Sequence, residues 1–238
     1  MKRIGGAMCI LAAAFLAGCT MARMAVPPDL PASASAMPVE GRKTFSFDES
    51  FHFGGYRVES VRRGWTHSTA WRFLGFESGK AKQKYEFALK AAGGTSWKAH
   101  CATGVRWKEM EFENFLDSKG TLTWPLHSDT GFACTFEGGE GAPSWKLAME
   151  QGADDLVLNG VLTDGTAVIR VEGIRKLKGT PIPLGEPSGF LFLGPDGLVG
   201  AVEVINNGTV WIAGDVSPEL QSAVACTSAS LLLYRALK

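Results

Sequence analysis

Apolar residues recur at every second position through most of this chain. Tyr85-Phe87-Leu89 carries Lys84, Glu86 and Lys90 on its other face. Trp97-Ala99-Cys101 opposes Lys98 and His100, and Trp145-Leu147-Met149 opposes Lys146, Ala148 and Glu150. Phe45-Phe47 and Tyr56-Val58 alternate in the same way. Period two marks half-buried strands. Asn159-Gly160, Asp164-Gly165 and Asn207-Gly208 punctuate the runs with residues that tolerate the positive φ of hairpin turns. Two hairpins follow: 155–162 with 166–174 across Asp164-Gly165, and 198–205 with 209–213 across Asn207-Gly208. About twelve antiparallel strands are expected, with short turns between them. Ser96-Trp97-Lys98 and Ser144-Trp145-Lys146 each follow a Gly-rich turn and open an alternating strand. The echo is short enough to be coincidence.

The C-terminus breaks the pattern. Ser217-Pro218-Glu219 is a helix start: a serine N-cap, proline at the first position and an acidic first turn. The spacing predicts a helix over 217–237, ending near Arg235 and Lys238, cations that suit the negative end of its dipole. From Ala223 to Leu233 it carries no charge. A surface helix has a charged face, so this one is expected to be buried. Two mainly β architectures accommodate it: a closed barrel around a buried helix, or a β-sandwich with the helix packed on one face.

The stretch GFLFLGPDGLVGAVEVINNGTVWIAGDVSPELQSAVACTSASLLLYRALK, residues 189–238, resembles the end of the tubby-like superfamily, which includes LURP-one-related proteins and phospholipid scramblases. The resemblance rests on the order of elements, not on a signature motif. It implies a closed barrel threaded by a hydrophobic C-terminal helix. That superfamily's basic phosphoinositide-binding cluster has no match here, and no binding residue is carried over.

The first nineteen residues have a different character. Lys2 and Arg3 precede an apolar run from Ile4 to Phe15, followed by Leu16-Ala17-Gly18-Cys19. A basic start, an apolar run and small residues before a cut site form a secretory signal. The run is shorter than the roughly 20 residues a membrane-spanning helix needs. With the cysteine directly after Leu-Ala-Gly, the segment resembles the lipobox of bacterial lipoproteins. That resemblance implies removal of 1–18 and lipidation of Cys19. Thr20 stands where inner-membrane lipoproteins commonly carry Asp, which favours the outer membrane, facing the periplasm. One acyl chain holds a protein only marginally and two hold it firmly. The expected partner is therefore the membrane, through acyl chains on Cys19. Residues 19–43 hold four prolines and no aromatic residue and are expected to form a flexible tether. Residues 44–238, with all seven Trp and all three Tyr, suit a single β-rich domain.

The chain has 24 Lys+Arg and 24 Asp+Glu; losing Lys2 and Arg3 with the signal leaves a net charge of −2. Nucleic-acid binding calls for a strongly basic face and is not expected. Of five cysteines, Cys9 leaves with the signal and Cys19 is lipidated. Export favours disulfides. A Cys101–Cys134 bond with Cys226 free is the economical assignment, worth roughly 3 kcal/mol by loop closure; three unpaired buried thiols are the alternative.

Candidate chemistry is sparse. No H-E-x-x-H or G-x-S-x-G motif occurs among residues that include His52, His67, His100 and His127. His100 and Cys101 are neighbours on a strand and point to opposite faces. Asp154-Asp155 and Glu109/Glu111 are carboxylate pairs of the kind glycosidases use at defined separations, and equally of the kind found on any surface. No metal or cofactor is implied. Arg57, Arg62, Arg63 and Arg72 gather near Trp65 and Trp71. They form either a cation–aromatic ligand platform for a lipid, glycan or envelope protein, or a solvated strand over core tryptophans. Two functions stay open: a lipid-anchored envelope protein with a non-catalytic binding or structural domain, and an envelope hydrolase with an unrecognised site.

Overall fold

The computed structural model describes residues 21–43, 49–64, 83–105, 131–139, 141–151 and 157–234. Twelve strands run in chain order: β1 Ser35–Glu40, β2 Phe51–Phe53, β3 Tyr56–Arg63, β4 Gln83–Ala91, β5 Ser96–Val105, β6 Gly131–Glu137, β7 Trp145–Gln151, β8 Leu158–Thr163, β9 Val168–Ile174, β10 Gly189–Gly194, β11 Gly197–Glu203 and β12 Thr209–Ile212. Each pairs antiparallel with its sequence neighbours, and β1 pairs with both β2 and β12. The sheet is therefore a closed up-and-down barrel, not a sandwich.

Closure creates a space that side chains alone do not fill. An eight-stranded barrel is just filled by its inward residues, while 16 strands leave a channel. Twelve strands need a filler, and helix α1, Pro218–Leu233, supplies it. Every residue from Ser222 to Leu233 is buried, so the helix has wall on all sides. All twelve strands contribute to the core around it, among them Phe53, Leu89, Trp97, Phe136, Leu147 and Phe192. The helix's alanines and serines let the wall approach. Three of its hydroxyls bond their own backbone: Ser222 Oγ donates to Pro218 O at 2.9 Å, Thr227 Oγ1 to Ala223 O at 2.8 Å and Ser230 Oγ to Thr227 O at 2.7 Å, while the buried Ser228 hydroxyl has no partner among the described residues. Those bonds lower the cost of burying its hydroxyls.

The two ends of the barrel differ. Short turns, 54–55, 92–95, 138–144, 164–167 and 195–196, lie at one rim, where α1 enters. The strand ends that bound the remaining connections all lie at the opposite rim, where α1 ends, and of these connections 175–188 and 204–208 are described throughout. Loops carry most binding function, and here the longer ones share one end.

Both expected hairpins form. Leu162 pairs with Ile169, and Glu203 with Thr209. Asp164 Oδ1 accepts from the N–H groups of Thr166 and Ala167, both at 2.8 Å. In the second turn the positive φ values fall at Asn206 (54°) and Gly208 (97°). Trp97 and Trp145, the two echoed tryptophans, both face the core.

Three expectations are corrected. Asn159-Gly160 is not a turn but the middle of β8, where Gly160 pairs with both Met149 and Val171. A Cβ there would strike the β7 backbone at Ala148 and Met149, so the glycine serves close strand packing. The helix ends at Leu233, not 237, with Tyr234 as its extended C-cap. Arg235 and Lys238 lie outside the described residues, and α1 has no basic residue in its own last turn.

The third correction is the tether. From residue 21 onward the expected flexible segment is built into the barrel. Residues 35–40 are β1, the strand that closes the wall, with Val39 in the core. Pro38, which lacks an N–H, falls where β1's pairing passes from β12 to β2. Upstream, Met24 is 2% exposed and packs on the bare Cα of Gly189. Its N–H donates to Glu203 Oε2 at 3.1 Å, and Arg23 Nη1 donates to Glu203 Oε1 at 3.1 Å. The segment has too little apolar surface to make a core of its own. It needs only a few contacts to dock on a finished wall.

Candidate functional site

A one-residue bulge disperses the arginine patch. In β3, Glu59 pairs with Ala88 but Arg62 pairs with Glu86, so β3 holds an extra residue, with Ser60 at φ 54°. An extra residue inverts the facing of everything after it. Val58 points inward; without the bulge Arg62 would follow it. With the bulge Arg63 does, opposite buried Tyr85. Arg62 stays outside, 3.7 Å from Glu86. Arg57 is also outside, opposite His52 and Lys90. The structure does not bring Arg57, Arg62 and Arg63 onto one face. Trp65, Trp71 and Arg72 lie outside the described residues, as do Cys19, His67, His127, Glu109, Glu111, Asp154, Asp155 and the Phe45-Phe47 run.

Arg63 anchors the end of the helix. Its guanidinium forks onto Glu49, with Nε donating to both carboxylate oxygens at 2.9 Å and Nη2 to Oε2 at 2.7 Å. Nη2 also donates to Leu233 O at 2.8 Å. Its Cζ lies 5.2 Å from the centre of the Tyr85 ring. Arg42, from the β1–β2 connection, donates to Leu232 O at 2.7 Å and Val204 O at 3.1 Å. Two arginines from the wall thus meet the orphan carbonyls and negative end of the dipole that α1's own sequence leaves unpaired. Tyr85 Oη donates to Ser230 O at 2.7 Å, and the Tyr234 ring stacks at a tilt on Phe132, 5.0 Å away. Burial drives the Tyr85 phenol well above its usual range. Arg63 opposes that shift, and Tyr234 and Glu49 add to it. Burial likewise raises Tyr234. These groups hold the plug in the barrel. Arg63, Arg42 and Tyr85 all bond to the last turns of the helix, so the cluster acts as a lock.

The outer wall carries an open groove of about 410 Å³ over β2 and β3, lined by Gly41, Lys43, Ser50, His52, Arg57 and Glu59 among others. His52 Nε2 lies 3.3 Å from Glu40, and Lys90 Nζ 2.7 Å from Glu59. Among the described residues, Arg57 is the member of the expected patch that reaches it. Two cations beside a carboxylate and an imidazole suit a small polar or zwitterionic group.

The thiols divide as the sequence implies. Cys101 and Cys134 face each other across β5 and β6, form a disulfide and are fully buried. Cys226 is a free, buried thiol, pushed far up by burial, so it stays protonated and acts as a small apolar group. His100 points away from Cys101, its Nδ1 3.6 Å from Glu86. Among the described residues no three His, Cys, Asp or Glu side chains gather as metal ligands.

Sequence reasoning missed Glu49, Arg42 and Glu203. Each sits in a run of ordinary composition, and its partner lies 14 to 190 residues away. The outward parity of Glu203 in an apolar strand is the one local sign that it meets something.

No protein-family model, curated protein or solved structure matches this chain.

Proposed function

We propose that the protein is a lipid-anchored envelope protein whose barrel is a non-catalytic binding or structural module. In this reading the chain is cut before Cys19, acyl chains on Cys19 hold it to a membrane, most simply the outer membrane on its periplasmic side, and the barrel presents its loops to a lipid, glycan or envelope-protein partner. The observation that carries the reading is Leu16-Ala17-Gly18-Cys19 behind a basic start and a short apolar run. The Cys101–Cys134 disulfide supports export, since such bonds persist outside the cytosol. The engagement of Glu49, Glu59 and Glu203 with Arg63, Lys90 and Arg23 supports a structural use of the acids over a hydrolytic one. The order of strands followed by a threaded helix supports the tubby-like resemblance, as architecture only.

The test is metabolic labelling of intact cells with a fatty-acid analogue. The parent chain should take up label, and Cys19→Ser should take up none and keep its signal segment. Equal labelling of the two would overturn the anchor.

A further inference from the structure

We propose that the rim of the barrel bearing the 175–188 connection is a membrane seat: Lys176 and Lys178, with Met21 and Ile182, rest against the anionic headgroups of the leaflet that holds the acyl chains on Cys19. The inference rests on the anchored reading above and adds how the barrel meets the bilayer.

The clamp at Met24 sets the distance. Met24 is five residue steps from Cys19, at most about 18 Å of extended chain. A free tether running to residue 43 would allow about 75 Å at the pitch of Pro-rich chain. Glu203 accepts from both Arg23 and the Met24 N–H, and Asn206 Nδ2 donates to Ala22 O at 2.7 Å. The chain is therefore fastened to this rim as soon as it leaves the anchor. Met21, two residues from Cys19, lies within about 7 Å of it, inside the headgroup layer of about 5–8 Å.

The same clamp fixes what else is there. Lys178 N–H donates to Arg23 O at 2.8 Å, and Ala25 N–H to Lys176 O at 3.1 Å. Met24 thus pairs with Leu177, between two exposed lysines. The connection then turns back. Ile182 N–H donates to Thr180 Oγ1 at 3.2 Å and Leu184 N–H to Arg175 O at 3.0 Å. Ile182 stands between Pro181 and Pro183, on a stiff tip that has little freedom to lose on docking. Residues 175–188 carry Arg175, Lys176 and Lys178 against Glu186 alone, and Glu203, beside them, is engaged by Arg23.

Single exposed apolar residues are ordinary. Here the exposed large apolar side chains among the described residues are Met21, 66% exposed, and Ile182, 72% exposed. Both lie in the stretch that the anchor brings to the bilayer, flanked by cations. Apolar tips with basic neighbours are what an anionic interface favours.

The test uses the mature, acylated protein in vesicles of phosphatidylethanolamine and phosphatidylglycerol containing a headgroup-quencher lipid. A fluorophore is placed on Ile182→Cys or, at the opposite rim, on Thr166→Cys; the native thiols are buried or bonded and do not take the label. The probe at 182 should be strongly quenched and the probe at 166 should not. Lys176→Gln with Lys178→Gln should shift the seated-to-lifted ratio about thirtyfold, about fivefold per lysine, the equivalent of about 1 kcal/mol each, and added salt should act in the same direction. Equal quenching at 182 and 166, or no effect of the lysine changes, would sink the seat and leave the anchor standing. The mass of the N-terminal peptide reads acylation separately: an unmodified Cys19 takes down the anchored reading, and the seat with it.

Discussion

Arg62 and Arg63 are adjacent, identical and opposite in consequence. Replace each with Leu. Arg63→Leu removes the fork on Glu49, the donor to Leu233 O and the cation over Tyr85. Both members of the ion pair are mostly buried, Arg63 24% and Glu49 12% exposed. Breaking such a pair from one side costs about 3–5 kcal/mol, because the remaining charge stays desolvated. The lost cap on the helix carbonyl belongs to the same rearrangement and is not added separately. The total is a large share of the 5–15 kcal/mol that holds a typical domain together. Arg62 is 77% exposed and 3.7 Å from Glu86, and Arg62→Leu should stay within about 0.5 kcal/mol of the parent. Arg63→Lys keeps the charge but not the fork, since one ammonium cannot span a carboxylate and a carbonyl as a guanidinium does. It should fall between the two. Urea unfolding of the unlipidated domain with the disulfide intact measures all three. If Arg63→Leu unfolds with the parent, or Arg62→Leu costs as much, the bulge at Ser60 does not turn Arg63 inward and the lock on the helix end is wrong.

Three more outcomes follow from the same core. Thiol titration of the unfolded, unreduced mature domain should find Cys226 alone and, in the folded domain, nothing; three reactive thiols would contradict the Cys101–Cys134 bond. Ala223→Asp and Ser230→Arg should each prevent stable folding, since both positions have wall around them and an unpaired charge there is strongly unfavourable; parent-like melting of either would mean the helix has an open face. Stability should fall as pH rises through about 9 to 11. The Cys226 thiol and Tyr85 phenol, with ordinary values of 9.0 and 10.0, are both raised by burial, so above those values the unfolded chain releases protons that the folded one keeps. Tyr85→Phe should flatten the upper part of that decline, and an unchanged slope would show that the phenol is not buried as neutral Tyr–OH.

The elements of this protein are local facts of its sequence. Tyr85-Phe87-Leu89 alternates because one face is wet and one dry, Asp164-Gly165 turns because its carboxylate bonds the next amides, and Ser217-Pro218 starts a helix whatever surrounds it. The uncharged run from Ala223 to Leu233 even points to a buried helix, because a surface helix carries a charged face. Pairing of Cys101 with Cys134 is the economical assignment from their places on alternating strands, and the structure forms it. What depended on tertiary structure is everything set by partners far along the chain. Residues 21–40 are too poor in apolar surface to fold alone and read as tether, yet a finished wall offers Gly189 and Glu203 to dock on. The arginine run reads as one patch because sequence carries no sign of a single extra residue at Ser60, and that residue decides which arginine enters the barrel. The helix stops at Leu233, where Tyr234 turns extended and Arg42 and Arg63 meet the last carbonyls, contacts that exist only once the barrel has closed.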